Sequence, residues 1–188
     1  MEKLSNYING ELVAPVSGVY LDNYEPATGI VYSHIPDSDE RDVQLAYAAA
    51  NAAFNQWSNT PLEERMMLLM KIADKIQFHF DEFARAESRD NGKPQKLARA
   101  VDIPRAISNF RFYASAVQHF ASESHHMPGT GINYTLRQPI GVVGCISPWN
   151  LPLYLFSWKI APALAAGNCV VAKPSEITPY TAYLLSEI

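Results

Sequence analysis

Residues 140–173 read IGVVGCISPWNLPLYLFSWKIAPALAAGNCVVAK, and this stretch decides the fold class. Its first part, 140–146, is an uninterrupted apolar run bounded by prolines, which is typical of a strand buried on both faces of a sheet. The composition of 154–166 favours a helix that ends at Gly167, and 169–172 is a second apolar strand. This order predicts a parallel βαβ unit with a right-handed crossover. The predicted fold class is therefore α/β.

The segments that precede this unit carry turn and helix signals. Asn9-Gly10 separates two short apolar segments, as in a β-hairpin, and 26–29 predicts a second turn. Asp39 is placed to cap a first helix, and a long helical stretch is expected over 95–122, interrupted at Pro104. Short strands followed by helices are therefore predicted for this region.

The last residues predict the start of a further helix. Thr178-Pro179 fits an N-cap followed by proline at the first helical position. The sequence stops at Ile188, and no glycine, asparagine or cationic turn closes the helix. We therefore expect a fragment cut inside a helix. The alternative is a frayed natural terminus.

Composition narrows the classes of function. The chain has 188 residues, with 15 basic and 19 acidic side chains, 48% apolar residues and a formal net charge of −4. This balance favours a packed domain and disfavours a nucleic-acid or anionic-membrane partner, which requires clustered positive charge. Prolines and Lys159 interrupt the most apolar stretch, 151–171, so no membrane span is expected. Without a secretion or lipidation signal, we predict a cytoplasmic protein.

Two short segments follow the two predicted strands of the βαβ unit, at the edge where parallel sheets bind ligands. They are Ser147-Pro148-Trp149-Asn150 and Lys173-Pro174-Ser175-Glu176. An amide such as that of Asn150 can stabilise a developing oxyanion, and a cation and a carboxylate suit the hydroxyls or phosphates of a nucleotide. The alternative is a proline-rich turn with a half-buried tryptophan and a surface ion pair.

The cysteines and paired histidines have simpler interpretations. Cys145 and Cys169 both lie in predicted buried strands, where a thiol is an inert core residue. His125 and His126 are adjacent, so their side chains point apart on any regular element, and we assign them to a surface loop. We therefore predict no metal site.

The two strand-end segments belong to a series of motifs that extends along the chain. In chain order these motifs are Tyr7–Glu11, Pro26–Gly29, Asn91–Pro94, Gln138–Gly144, Ser147–Pro152, Trp158–Val171 and Lys173–Glu176. Their order, spacing and identities resemble the first half of the NAD(P)-dependent aldehyde dehydrogenase superfamily. The resemblance covers essentially the whole chain.

This resemblance implies a domain organisation and an activity. Residues 1–126 would pack on the cofactor-binding domain, 127–139 would form a bridging or oligomerisation strand segment, and 140–188 would begin an incomplete, doubly wound NAD-binding domain. A complete enzyme of this family is expected to be a homo-oligomer that oxidises a small-molecule aldehyde to the acid. The family's nucleophilic cysteine and general-base glutamate lie beyond Ile188, so the chain alone is expected to be inactive. The alternative is a non-catalytic interaction remnant.

The resemblance also assigns roles to individual residues. Asn150 would be catalytic, because its amide would donate to the oxyanion. The cofactor-binding residues would be Ile146, Ser147, Pro148, Trp149, Lys173, Ser175 and Glu176. Within this set, Ile146 and Trp149 would line the nicotinamide side of the cleft, and Lys173 and Glu176 would hold the adenosine ribose. A carboxylate at Glu176 repels a 2′-phosphate, so NAD is favoured over NADP.

Arg105 is the candidate substrate residue. Alignment of 110–114 with the corresponding family helix places Arg105 where the substrate tunnel is lined, and a cation there is costly unless it meets an anion. A substrate carboxylate would serve, which makes the pattern similar to the 2-aminomuconic and 2-hydroxymuconic semialdehyde dehydrogenase branch. One alternative is a pair between Arg105 and Asp102 on the same turn. Another is a different substrate, such as betaine aldehyde or a phosphorylated aldehyde.

Overall fold

The computed structural model describes residues 1–188. The strands are β1 (Glu2–Lys3), β2 (Asn6–Ile8), β3 (Glu11–Val13), β4 (Tyr20–Glu25), β5 (Ile30–Pro36), β6 (Ser124–Met127), β7 (Gly131–Tyr134), β8 (Val142–Ile146) and β9 (Cys169–Lys173). The helices are α1 (Glu40–Asn59), α2 (Leu62–Phe78), α3 (Phe80–Asn91), α4 (Gln95–Leu97), α5 (Ile103–Ala116), α6 (Pro152–Ala165) and α7 (Tyr180–Ser186).

The strands form four small sheets. Strand β5 pairs with β1 in parallel and with β4 in antiparallel orientation, while β2–β3 and β6–β7 are antiparallel hairpins. The predicted Asn9-Gly10 turn is confirmed, since both residues have positive φ angles, as a tight hairpin turn requires. The turn at 26–29 joins β4 to β5 and is also confirmed.

The predicted βαβ unit is present. Strands β8 and β9 pair in parallel, from Val142 opposite Cys169 to Ile146 opposite Lys173, and α6 connects them. The expectation that β8 is buried on both faces is wrong for these residues, because Ile146 is 71% exposed and only Cys145 is buried. In this structure β8 pairs only with β9, so its other edge carries no neighbouring strand.

The hydrophobic core lies between the helices rather than within a sheet. Helix α5 packs against α2 and α6, and α3 closes the end of this group. Phe83 of α3, Phe110 of α5 and Leu153 of α6 are fully buried in one apolar cluster. Helix α1 packs against β8 and β9. Its Trp57 indole N–H donates to the Leu164 carbonyl of α6 at 3.2 Å. None of these helices is both long and apolar enough to cross a bilayer.

Two helix boundaries differ from those that the local sequence signals predict. The predicted stretch 95–122 is interrupted by a π-helical segment at 98–102, and Pro104 stands in the first turn of α5, where its missing N–H is tolerated. The prediction that Thr178 caps the last helix is wrong. The Thr178 hydroxyl donates to the Trp149 carbonyl at 3.3 Å, and the Tyr180 N–H of α7 donates to the Asp90 carboxylate at 2.9 Å.

Candidate functional site

The carboxyl ends of β8 and β9 lie side by side and define one edge of the parallel sheet. The Ser147 N–H donates to the Lys173 carbonyl at 3.0 Å, so the two predicted segments leave the sheet from neighbouring positions. The nitrogen of Lys159, on α6, also contacts the Ile146 carbonyl. The structure therefore brings together the two segments that the sequence places after the strands.

In the segment 147–150, donors from other parts of the chain hold the backbone carbonyls, while Trp149 and Asn150 are exposed. The Trp149 carbonyl accepts hydrogen bonds from the Asn91 amide, at 2.9 Å, and from the Thr178 hydroxyl. The Asn150 carbonyl lies 3.5 Å from the Lys93 nitrogen. The side-chain amide of Asn150 is exposed and makes no hydrogen bond within the protein. This amide is free to donate to an oxyanion.

An apolar surface lies beside Asn150. Ile146 and Trp149 are largely exposed, and Pro148 is exposed between them. Such a surface suits a flat heteroaromatic ring, since both faces of the ring are poorly hydrated. Ser147 differs from its neighbours because it is buried and its hydroxyl has no hydrogen-bond partner.

The second segment carries an exposed ion pair. The Lys173 nitrogen donates to the Glu176 carboxylate at 2.6 Å, and this hydrogen bond lowers the pKa of Glu176. Both side chains are more than half exposed, so they can exchange this contact for ligand hydroxyls. The Ser175 hydroxyl is buried and accepts from the Ile177 N–H at 3.2 Å, so it stabilises its own turn.

Arg105 stands on the exposed side of α5, close to the first turn of α6. Its guanidinium carbon is 5.9 Å from the ring centre of Tyr154, which in turn stacks on Trp158 at 5.3 Å. The alternative pair between Arg105 and Asp102 is wrong, because Asp102 is fully buried and pairs with Lys93 at 3.0 Å. Arg105 has no carboxylate partner in this structure.

Neither cysteine belongs to this site. Cys145 and Cys169 are buried free thiols, and burial raises the pKa of each. No group of three or more His, Cys, Asp or Glu side chains is arranged to hold a metal ion. His125 and His126 lie on strand β6 rather than in a loop, and both are exposed.

Comparison with known proteins decides the family. The profile of the Aldehyde dehydrogenase family matches residues 13–188. The chain belongs to the aldehyde dehydrogenase family. The resemblance predicted from the sequence motifs is thereby confirmed.

Similar aldehyde dehydrogenases show how much of the fold is present. The 2-aminomuconic semialdehyde dehydrogenase of Bos taurus is 50% identical over 186 residues, which cover 98% of this chain and 38% of that protein. The 2-hydroxymuconic semialdehyde dehydrogenase of Pseudomonas sp. (strain CF600) is 44% identical, with coverages of 100% and 40%. The NAD⁺ complex of an aldehyde dehydrogenase from Bacillus cereus superposes with a TM-score of 0.95 at 37% identity, over 99% of this chain and 38% of that one.

The chain thus spans about two fifths of the length of the curated aldehyde dehydrogenases that it matches. Over that span its backbone agrees closely with the solved structure, so the α/β fold class predicted from the sequence is confirmed. The βαβ unit at 140–173 is therefore part of a larger α/β architecture in those relatives.

A buried charged cluster below the Asn150 segment was missed by the sequence analysis. Lys93 lies between two buried carboxylates, with its nitrogen 3.0 Å from Asp102 and 3.6 Å from Glu87. The other Glu87 oxygen accepts from the Thr181 hydroxyl at 2.9 Å and from the Leu153 N–H at 3.4 Å. A signal was available, since Glu87 follows the buried Phe83 by four residues and so shares its helix face.

Glu87 is the most strongly perturbed carboxyl group in this aldehyde dehydrogenase segment. Loss of solvation raises the pKa of Glu87 to about 7, and the nearby Lys93 ammonium only partly opposes this effect. Because the pKa of Glu87 in an unfolded chain is near 4.5, the folded state retains a proton that the unfolded state releases. The stability contributed by Glu87 is therefore largest at low pH and declines as pH rises from about 4.5 to about 7.

We predict that Glu87→Gln removes this pH dependence. The variant cannot ionise, so its stability relative to the wild type should increase between pH 5 and pH 8, by at most about 3 kcal/mol. Thermal unfolding at the two pH values measures the difference, with Glu64→Gln on the exposed first turn of α2 as the matched control. Parallel pH profiles for wild type and Glu87→Gln would contradict the assignment.

Proposed function

We propose that this chain is part of an NAD-dependent aldehyde dehydrogenase, with Asn150 as an oxyanion-stabilising residue. One observation carries the proposal: in a chain of this family, the unpaired amide of Asn150 lies in the segment that follows β8, at the same sheet edge as the exposed Lys173–Glu176 pair. An amide donor and a ribose-binding pair at one sheet edge suit an oxidation that uses a dinucleotide.

The residues at this edge fit NAD. The exposed Ile146 and Trp149 offer an apolar face to the nicotinamide, and Lys173 and Glu176 offer a donor and an acceptor to the ribose hydroxyls. When bound, NAD accepts the hydride that leaves the substrate. The protein's own contribution here is to orient the cofactor and to place one amide donor where negative charge develops.

Asn150 acts on the aldehyde oxygen. Attack by the family's cysteine thiolate converts the carbonyl oxygen into an oxyanion, and the Asn150 amide donates a hydrogen bond to it. Because the charge develops only as the reaction proceeds, this bond strengthens towards the transition state and therefore accelerates the chemical step. We assign neither Cys145 nor Cys169 as the nucleophile, since both thiols are buried and burial raises the pKa of each.

The substrate proposal is a semialdehyde that carries a carboxylate. Arg105 has no acidic partner in the protein and lies beside Tyr154, in the first turn after the Asn150 segment. A guanidinium at this position can bind a carboxylate remote from the aldehyde group. The semialdehyde dehydrogenases to which the chain is similar carry names that agree with such a substrate.

The remaining assignments concern assembly and location. We propose that the complete enzyme is a cytoplasmic homo-oligomer and that 127–139 forms its bridging segment. Strand β7 lies within this segment, and all four of its residues are exposed, as are those of β6, the strand that pairs with it. Such exposure is expected for a segment that another subunit covers. The proposed boundaries of the flanking regions are 1–126 and 140–188.

We predict that the 188 residues alone do not oxidise aldehydes. They contain no exposed cysteine, so no thiolate is available to attack a substrate. Purified polypeptide of this length, mixed with aldehyde and NAD, should form no NADH above the rate without protein. Aldehyde-dependent NADH formation would refute this prediction.

In the complete enzyme, Asn150→Ala should lower turnover by on the order of a hundredfold, since it removes one oxyanion donor. The KM for NAD should change far less, because the amide acts mainly on the transition state. Steady-state kinetics test this, with Asn51→Ala on the exposed face of α1 as the control. A turnover within about threefold of wild type would exclude the oxyanion role.

Glu176→Ser in the complete enzyme should narrow the preference for NAD over NADP. The serine neither repels the 2′-phosphate nor accepts two ribose hydroxyls, so kcat/KM for NADP should rise while that for NAD falls. The isosteric Glu176→Gln separates the effect of charge from that of shape. An unchanged ratio of the two specificity constants would mean that Glu176 does not contact the cofactor.

In the complete enzyme, Arg105→Ala should raise KM at least tens-fold for a carboxylate-bearing semialdehyde. In this proposal the bound substrate takes the Arg105 guanidinium out of water, and truncating one partner of a desolvated ion pair costs about 2–5 kcal/mol. Activity on an uncharged aldehyde of similar size should change little. The control is Arg85→Ala, an exposed arginine on α3. Equal effects on both substrates would refute the carboxylate-binding role of Arg105.

A further inference from the structure

The turn between α3 and α4 has a tightly fixed backbone. Gly92 adopts a left-handed φ of 79°, and a Cβ at this position would lie 2.9 Å from the Cβ of Pro26, so no other residue fits without a shift. The Gly92 N–H donates to the Ser88 carbonyl at 2.9 Å, and the Ser88 hydroxyl donates to the Lys93 carbonyl at 2.6 Å. The residues on either side of Gly92 therefore leave the turn in fixed directions.

Those two flanking residues reach the same neighbouring segment. The Asn91 amide donates to the Trp149 carbonyl at 2.9 Å, and the Lys93 ammonium donates to the next carbonyl, that of Asn150, at 3.5 Å. The segment that receives them lies between β8 and α6 and has no ladder or helical hydrogen bonds of its own at these two carbonyls. Its conformation therefore depends on donors from outside.

The Lys93 donor is itself held in place. Its side chain is only 7% exposed, and its nitrogen lies between Asp102 of the π-helical segment and Glu87 of α3. A buried ammonium paired with carboxylates from two different elements has little freedom to move, because leaving either one would strand a buried charge. The position of the ammonium next to the Asn150 carbonyl is thus set by two elements of the fold.

We propose that Asn91 and Lys93 are positioning residues, which hold the Trp149 and Asn150 carbonyls so that the Asn150 amide points at the substrate oxygen. The proposal rests on the oxyanion role proposed for Asn150. Neither residue touches substrate in this proposal, and both act through the backbone of the segment. Misplacing a catalytic group by about 1 Å can cost on the order of a hundredfold in rate, so such support affects catalysis directly.

A purely structural role for the same residues makes a different prediction. If Asn91 and Lys93 only stabilise the fold, their removal lowers stability, and any loss of rate is independent of Asn150. If they act through Asn150, their removal costs nothing further once the Asn150 amide is gone. A double-mutant cycle with Asn150→Ala therefore separates the two roles.

The experiment uses the complete enzyme and measures the first-turnover rate of NADH formation. Asn91→Ala and Lys93→Met should each lower this rate about tenfold, while KM for NAD stays within about twofold. The matched controls are Asn51→Ala and Lys96→Met, which make the same changes at exposed positions on α1 and α4. Both control variants should stay within about twofold of wild type.

In the Asn150→Ala background, each positioning variant should change the rate by less than about twofold. Multiplicative losses in this background, or wild-type rates for Asn91→Ala and Lys93→Met alone, would overturn the positioning role while leaving the oxyanion role of Asn150 intact. A wild-type rate for Asn150→Ala itself would overturn both proposals.

Lys93→Met leaves Asp102 and Glu87 without a counter-charge, and the variant can fail to fold for that reason. The double variant Lys93→Met/Asp102→Asn avoids this, because a lone buried Glu87 becomes neutral by retaining its proton. It should show the same tenfold loss and the same lack of effect in the Asn150→Ala background. Asn91→Ala alters no charge and provides an independent test of the same proposal.

Discussion

Two carboxylates on the inner face of α3 must each receive hydrogen bonds from elsewhere in the chain, because a buried carboxylate without partners is very costly. Asp90 accepts from the Asn23 amide, the Tyr32 hydroxyl and the Tyr180 N–H, at 2.5–2.9 Å. The first two donors come from the neighbouring strands β4 and β5, and the third comes from α7, at the other end of the chain. One helix face thereby fixes the N-terminal sheet and the last helix relative to the central helices.

The same constraint governs the edge where Asn150 lies. Glu87, one turn before Asp90, binds the start of α6 through the Leu153 N–H and the start of α7 through Thr181. These two helices follow β8 and β9, so the loops that leave the two strands have their far ends anchored to the same carboxylate. The exposed groups at this sheet edge are thus supported by buried polar contacts, and the Glu87 carboxyl group helps to determine where the two loops lie.

Hydrophobic periodicity and turn residues predicted those structural elements that are determined by residues close together in the sequence. The βαβ unit at 140–173 and the Asn9-Gly10 hairpin could be read from the sequence because apolar runs and positive φ angles are local properties. The cap of α7 could not, since Asp90 supplies it from 90 positions away and releases Thr178 for another bond. The partner of Asp102 could not be predicted either. Asp102 pairs with Lys93 rather than with Arg105, which is closer in the sequence, because Asp102 is buried and Lys93 is the side chain that reaches the interior. The polar partners of buried groups are thus properties of the tertiary fold.

The burial of Cys145 and Cys169 gives this part of the protein a built-in reporter of unfolding. A thiol reacts with alkylating reagents as an exposed thiolate, and here both exposure and ionisation are suppressed by the sheet. Reagent can reach either sulfur only when β8 and β9 separate from the helices that cover them. The rate of thiol modification in the native state therefore measures how often β8 and β9 separate from the helices that cover them, without any engineered label.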